Sequence, residues 1–292
     1  MNISATFVRF LKLAVFAFCV IMALNVVVCI TVENCKCRRG RPESGLAEMD
    51  EVIDIHCHII PGVDDGSSSI EESVRLLKDA YRQGVRSVIA TPHYSRRSQN
   101  AGRHAVQEQL RTELEYMARA EIDPGFSVYL GQEAYYHEDL PDRIREGFCW
   151  SMAGSRYLLV EFDIHSDYET IFRGLRSIRN EGYSPILAHI ERFPSIRRKG
   201  GIEEIRSLGV RMQMNYESLE GSVFSSEVRW CREQVRSGVI DVMGSDMHRL
   251  DFRPPNITGG LNWMRKHLDA DEFRRLTLDN PLRIIHDEDL RI

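Results

Sequence analysis

The strongest constraint on this 292-residue chain is an alternation that begins near residue 51. Short β-branched runs, at about 52–55, 86–91, 127–130, 157–160, 185–188, 210–215 and 239–243, take turns with longer amphipathic stretches. In the first of those stretches Ile70, Val74, Leu77 and Tyr81 recur at helical spacing; in a later one Ile171, Leu175 and Ile178 do the same. Ser68 and Ser69, with Glu71 and Glu72 behind them, predict a capped helix start, and Gly84 its end. Further helices are expected over about 104–120, 138–146, 168–180, 201–208, 225–237 and 258–280. Seven strand–helix units in strict order argue for an α/β fold with parallel strands inside and helices outside, a barrel of the (β/α) kind.

In such barrels the reacting groups stand at the C-terminal ends of the strands. Here His56 and His58 close the first strand; two residues apart, they share a face, and Cys57 points the other way. Asp65 lies in the Gly/Asp-rich turn that follows. His93 stands just past the second strand, Glu133 past the third, Glu161 past the fourth, His189 past the fifth, and Asp246 with His248 past the seventh. Any one of these is more often a capping or solvated group than a ligand. Six of seven strands ending in one is a pattern, and its mixture of imidazole and carboxylate donors is that of a divalent-metal site. The donor types suit manganese, iron, cobalt or zinc about equally.

Charge and cysteine usage narrow the function classes. A net charge of −5 lacks the basic footprint of a nucleic-acid binder. The cysteines, at 19, 29, 35, 37, 57, 149 and 231, are scattered and odd in number, so no disulfide framework is expected. Cys35 and Arg41 satisfy the C-x5-R spacing of cysteine-based phosphatases, but no strand-to-helix context surrounds them, and the match reads as a decoy. Residues 13–32 carry no charge and are long enough for a membrane-spanning helix, with residues 1–12 as a flank. Lys36, Arg38, Arg39 and Arg41 follow the run, so the positive-inside rule puts the domain at 51–292 in the cytoplasm, behind a linker at 33–50. A start at Met49 would instead leave a soluble enzyme.

Taken together, Asp54-Ile55-His56-Cys57-His58, Asp64-Asp65-Gly66, Thr91-Pro92-His93, Glu133, Val160-Glu161-Phe162, Ala188-His189-Ile190-Glu191-Arg192, Ser245-Asp246-Met247-His248 and Arg253-Pro254-Pro255 resemble the PHP (polymerase and histidinol phosphatase) superfamily. The closest likeness is to its bacterial protein-tyrosine phosphatase branch, encoded with capsule and exopolysaccharide systems. The resemblance implies a distorted seven-stranded TIM-like barrel and three divalent ions, with manganese favoured. His56, His58, Glu133 and Asp246 would hold the first ion, Glu133, Glu161 and His189 the second, and Asp65, His93 and His248 the third. Arg192 and Arg253 match the family's phosphate-gripping arginines. The implied partner is a phosphotyrosine protein, a bacterial tyrosine autokinase, and some members assemble through the helix bearing Glu71-Glu72-Ser73. The rival expectations are a phosphoesterase for a small monoester such as histidinol phosphate, and a membrane-tethered metal-binding protein without catalysis.

Overall fold

β-Branched and aliphatic residues alternate along the strands in a way that sorts them onto two apolar layers. The computed structural model describes residues 51–95 and 103–292. The apolar run 13–32, the linker 33–50 and the Cys35–Arg41 match lie outside the described residues. Among the described residues no helix is long and apolar enough to cross a membrane.

In chain order the main elements are β1 (Val52–Cys57), α1 (Ile70–Arg82), β2 (Val85–Ala90), β3 (His93–Tyr94), α2 (His104–Glu121), β4 (Ser127–Leu130), β5 (Glu133–Tyr135), α3 (Leu140–Arg145) and β6 (Tyr157–Glu161). They continue with α4 (Tyr168–Asn180), β7 (Ser184–Leu187), α5 (Gly201–Ser207), β8 (Arg211–Asn215), α6 (Ser226–Arg236), β9 (Val242–Gly244), α7 (Thr258–His267), α8 (Ala270–Arg274) and α9 (Asn280–Ile285). Ser69, Asp167 and Ser225 cap α1, α4 and α6 through their side-chain oxygens. The capping box of α1 is displaced by one residue. Glu72 accepts from the Ser68 amide (2.9 Å) and hydroxyl (2.7 Å), while Ser69 accepts from the Glu72 amide.

Every strand pairing is parallel, in the orders β1-β2-β4 and β3-β5-β6-β7-β8-β9. The seven uninterrupted runs expected from the sequence are thus nine segments among the described residues. The second run breaks at Thr91-Pro92, where proline has no N–H to give, and the third at Gly131-Gln132. Pairing resumes across both breaks: Gly131 N–H donates to Ala90 O (2.8 Å) and Glu133 N–H to Pro92 O (3.2 Å). A Cβ on Gly131 would sit 2.9 Å from Met152 Cα, so only glycine allows that approach. At the other edge Cys57 bridges to Met247, and His58 N–H donates to Met247 O (2.8 Å). The result is a curled parallel sheet.

Alternation divides the strand side chains. Ile53, Ile55, Ile89, Tyr157, Leu159, Ile186, Ala188 and Val242 face one layer, and Val88, Ala90, Leu158, Val160, Leu187, Met212, Met214 and Met243 the other, against the helices. Burial on both faces is what a parallel sheet requires. Leu278, Ile284 and Leu290 complete the first layer, so the C-terminal segment packs with the sheet interior. The single helix expected over 258–280 is broken there. Asp269 caps a new helix through the Glu272 amide (2.8 Å), and Arg275–Asp279 winds as a π-helix around the buried Arg275, which donates to Ile240 O (2.9 Å).

Candidate metal centre

The two ends of the sheet edge are tied together by a buried carboxylate. Asp54 accepts from the Ser245 amide (2.9 Å), the Ser245 hydroxyl and the His56 amide (3.2 Å). Burial raises its pKa, against the opposing pull of the Ser245 bonds. The Asp246 amide in turn donates to His56 O (2.8 Å). This lacing brings the Ser245–His248 turn beside the histidines of β1.

Four side-chain atoms converge there. His56 Nε2 and His58 Nε2 are 3.3 Å apart; Glu133 Oε2 lies 3.2 and 3.3 Å from them; Asp246 Oδ1 lies 3.5 Å from each. Donors placed at ~2.1 Å around one cation in a tetrahedron stand about 3.4 Å from one another. The His56–His58–Glu133 and His56–His58–Asp246 triangles both have edges near that value, so either carboxylate can share an ion with the two imidazoles. Glu133 Oε2 is buried and makes no aligned hydrogen bond, although three ring nitrogens approach within 3.0–3.3 Å. Lone pairs that point at a shared centre rather than at one another's protons are what a metal site presents, and the residues fit a divalent ion.

Two further groups adjoin the first. His189 Nε2 lies 2.9 Å from Glu133 Oε1 and 3.4 Å from Glu161 Oε1, and His93 Nδ1 lies 3.0 Å from Glu133 Oε2 and 3.7 Å from Glu161 Oε2. On the outer side Asp65 Oδ1 lies 3.5 Å from His93 Nε2 and 3.7 Å from His248 Nε2, with His58 within the same group. All nine residues expected as ligands therefore gather, and His93 faces two groups through its two nitrogens where one was expected. The inner donors are buried, whereas Asp65 is 66 % exposed and marks the opening.

The electrostatics demand positive charge. Burial opposes ionisation of Glu133, but His56 and His93 hold its pKa well below the ordinary value; Asp246 is likewise depressed by His56 and His58 against its burial. Burial works against charge on His58, yet bonds to Asp246, Asp64 and Glu133 keep its pKa well above normal. His189, buried but bonded to Glu133 and Glu161, is raised to about 9. His248 goes the other way: burial and the neighbouring His58 bring it down to about 4. Carboxylates that draw protons onto neighbouring imidazoles would be balanced as well by divalent cations.

Backbone strain sits at the same place. Of the non-glycine residues with positive φ, His189 (30°) and Asp246 (54°) both belong to the cluster. Such conformations persist where the surroundings enforce them. Here the His189 amide is held by Gln213 Oε1 at 2.6 Å, and Asp246 Oδ2 accepts from Asn215 Nδ2 at 3.0 Å.

Three positioning residues escape a reading for ligands alone. Asp64 accepts from His58 Nδ1 and the His93 amide, both at 2.9 Å, and turns the Nε2 of His58 toward the centre. Gln213 Oε1 faces His56 Nδ1 at 3.3 Å and does the same for that ring. Gln213 Nε2 also donates to Asn215 Oδ1 (2.8 Å), so the end of β8 supplies supporting amides rather than ligands. The available signal was spacing: Gln213 and Asn215, like His56 and His58, are two apart at a strand end.

Arg192 and Arg253 meet at the mouth. Arg192 Nη2 donates to Asp246 Oδ2 at 2.5 Å and Arg253 Nη1 to the same oxygen at 2.9 Å. Each guanidinium is partly exposed and keeps further N–H groups for an anion beside the cluster.

The chain resembles known proteins throughout this region. It is 32% identical over 243 residues to the tyrosine-protein phosphatase CpsB of Streptococcus pneumoniae, covering 81% of this chain and 99% of that protein. It is 28% identical over 207 residues to the tyrosine-protein phosphatase YwqE of Bacillus subtilis (strain 168), covering 69% and 79%. The fold matches a chain from the crystal structures of YwqE from Bacillus subtilis and CpsB from Streptococcus pneumoniae, described as unique metal-dependent tyrosine phosphatases. That match has a TM-score of 0.71 and 25% identity, over 82% of this chain and 96% of that one. Residues 52–286 match the family model for capsular polysaccharide synthesis, CpsB/CapC, and the chain, with its metal-type cluster inside that span, belongs to this family.

Proposed function

We propose that this chain is a metal-dependent protein-tyrosine phosphatase that hydrolyses phosphotyrosine on a protein, a bacterial tyrosine kinase that regulates capsule or exopolysaccharide synthesis. The observation that carries the reading is the convergence of His56, His58, Glu133 and Asp246, each carboxylate within 3.5 Å of both ring nitrogens, with two arginines at the mouth. The tyrosine phosphatase relatives support the same substrate class.

The nine donors would hold three ions: His56, His58, Glu133 and Asp246 the first, Glu133, Glu161 and His189 the second, and Asp65, His93 and His248 the third. Such ions, manganese in this reading, supply neutralisation of the phosphate dianion and a lowered pKa for the attacking water. The chain's own residues do the rest. Arg192 and Arg253 bind phosphate oxygens and fix the ester in line with the opening. Asp64 and Gln213 hold His58 and His56 in one tautomer. A tyrosine oxygen, with a pKa of about 10, leaves more readily than an aliphatic alkoxide.

The finer architecture we infer is a distorted seven-stranded barrel of the PHP kind, with β2/β3 and β4/β5 as interrupted single strands; backbone bonds across both breaks support it. The run at 13–32, with basic residues after it, supports a membrane anchor that keeps the catalytic domain on the cytoplasmic side beside a membrane-bound kinase.

The test is phosphate release from a phosphotyrosine peptide with added manganese, beside His56→Ala/His58→Ala and with histidinol phosphate as competing substrate. Release from the peptide by the wild type, with loss in the variant and weaker turnover of histidinol phosphate, is expected. Equal activity in both proteins would end the metal-centre reading.

A further inference from the structure

The cluster and the two arginines account for a phosphate, yet neither recognises the ring that a tyrosine ester carries. Resting on the phosphatase reading above, we infer that Phe252 is a substrate-contact residue that stacks on the aryl group and favours aryl over alkyl phosphates.

An exposed phenylalanine needs no explanation by itself. Phe252 differs through what surrounds it. Its ring is 65% exposed, yet it stands edge-on to the ring of His248, centroids 6.4 Å apart at 81°, and 5.5 Å from the guanidinium carbon of Arg253. One neighbour belongs to the donor cluster and the other to the phosphate-gripping pair. The turn that carries the ring is built. His248 N–H donates to Arg253 O (2.8 Å), Arg253 N–H to Arg249 O (3.0 Å), Arg249 pairs with Asp251, and Leu250 N–H reaches Glu72 Oε1 (3.3 Å) on α1. The aromatic face is therefore presented to solvent from a fixed support.

A phosphate seated against Arg253 leaves its ester oxygen pointing outward, and the ring of phosphotyrosine begins one bond beyond that oxygen. Aromatic pairs attract at centroid separations of about 4.5–7 Å, and Phe252, 5.5 Å from the guanidinium carbon of Arg253 and open to solvent, is the aromatic face beside that position. An alkyl ester offers no π-face there. Its affinity would rest on the phosphate contacts alone.

The manganese-loaded full chain is titrated calorimetrically with phenylphosphonate and methylphosphonate, which carry the same anionic head on an aryl or an alkyl group and are not hydrolysed. The same titrations on Phe252→Ala should show the preference for phenyl over methyl falling about three- to tenfold, the range an aromatic pair contributes. Phe252→Tyr should restore it. An unchanged preference in Phe252→Ala overturns the inference, whether both ligands weaken together, which would make the ring only a prop for the His248–Arg253 turn, or neither does. If the wild type releases no phosphate from a phosphotyrosine peptide, the underlying phosphatase reading falls, and this inference with it.

Discussion

Gln213 offers the most searching test of how the site is held. It is fully buried, accepts from the His189 amide at 2.6 Å, faces His56 Nδ1 at 3.3 Å and donates to Asn215 Oδ1 at 2.8 Å. Gln213→Leu keeps the volume and removes all three contacts. The His189 N–H and the Asn215 oxygen are then buried without their partners, each at a cost of about 1–3 kcal/mol. The 3.3 Å contact is too long to add much, so the expected destabilisation is about 2–6 kcal/mol. The His56 ring also loses the group that fixes its tautomer, which should weaken metal binding by about 10–100-fold. Urea unfolding followed by the intrinsic tryptophans measures the first effect, and the manganese concentration at half-maximal phosphotyrosine hydrolysis measures the second. Gln213→Glu, which keeps acceptors for both the His189 amide and the His56 ring, should hold the manganese midpoint nearer the wild type. If Gln213→Leu shifts that midpoint by less than about twofold, the claim that second contacts aim these histidines is wrong.

Two further outcomes are expected. Gly66→Ala would place a Cβ 2.1 Å from His58 O and 2.6 Å from His58 Cβ, so the Asp64–Asp65 turn must move away from the histidines; a loss of manganese affinity together with a lowered melting temperature is expected, and calorimetric titration checks it. The Cys231 thiol, pushed up by burial to about 12 from 9.0, stays protonated in the fold while the unfolded chain ionises above pH 9. Its contribution to stability is complete below pH 9 and is lost as pH rises toward 12, so Cys231→Ala should flatten that alkaline decline in stability-versus-pH measurements. A decline as steep as the wild type's would refute the assignment.

What could be read from residues alone followed from one regularity of parallel α/β folds. Side chains just past strand ends share a rim however far apart they lie in sequence, which is why His56, Glu133, His189 and Asp246 could be grouped before any distance was known. The helices with strong caps were equally plain: the expected 168–180 is the observed Tyr168–Asn180, held at its start by Asp167. Other features left weaker traces. Asp64 and Asp65 are adjacent carboxylates in one turn, and nothing local says that the first orients His58 while the second lines the opening. The break between α7 and α8 had a signal in Asp269-x-x-Glu272, hidden within a run of good helix formers. Phe252 had none.

The order of elements, the donor types and the places where they fall were thus properties of the sequence itself, because period and capping are local and parallel topology is a short list of options. Which oxygen meets which nitrogen was not. The 3.2–3.5 Å edges around the first site, the left-handed backbone at His189 and Asp246, and the meeting of both arginines on a single carboxylate oxygen depend on Asp54, Asn215 and Gln213 lacing distant strand ends together. Those contacts join residues up to 191 positions apart, and only the folded chain brings them within hydrogen-bonding distance.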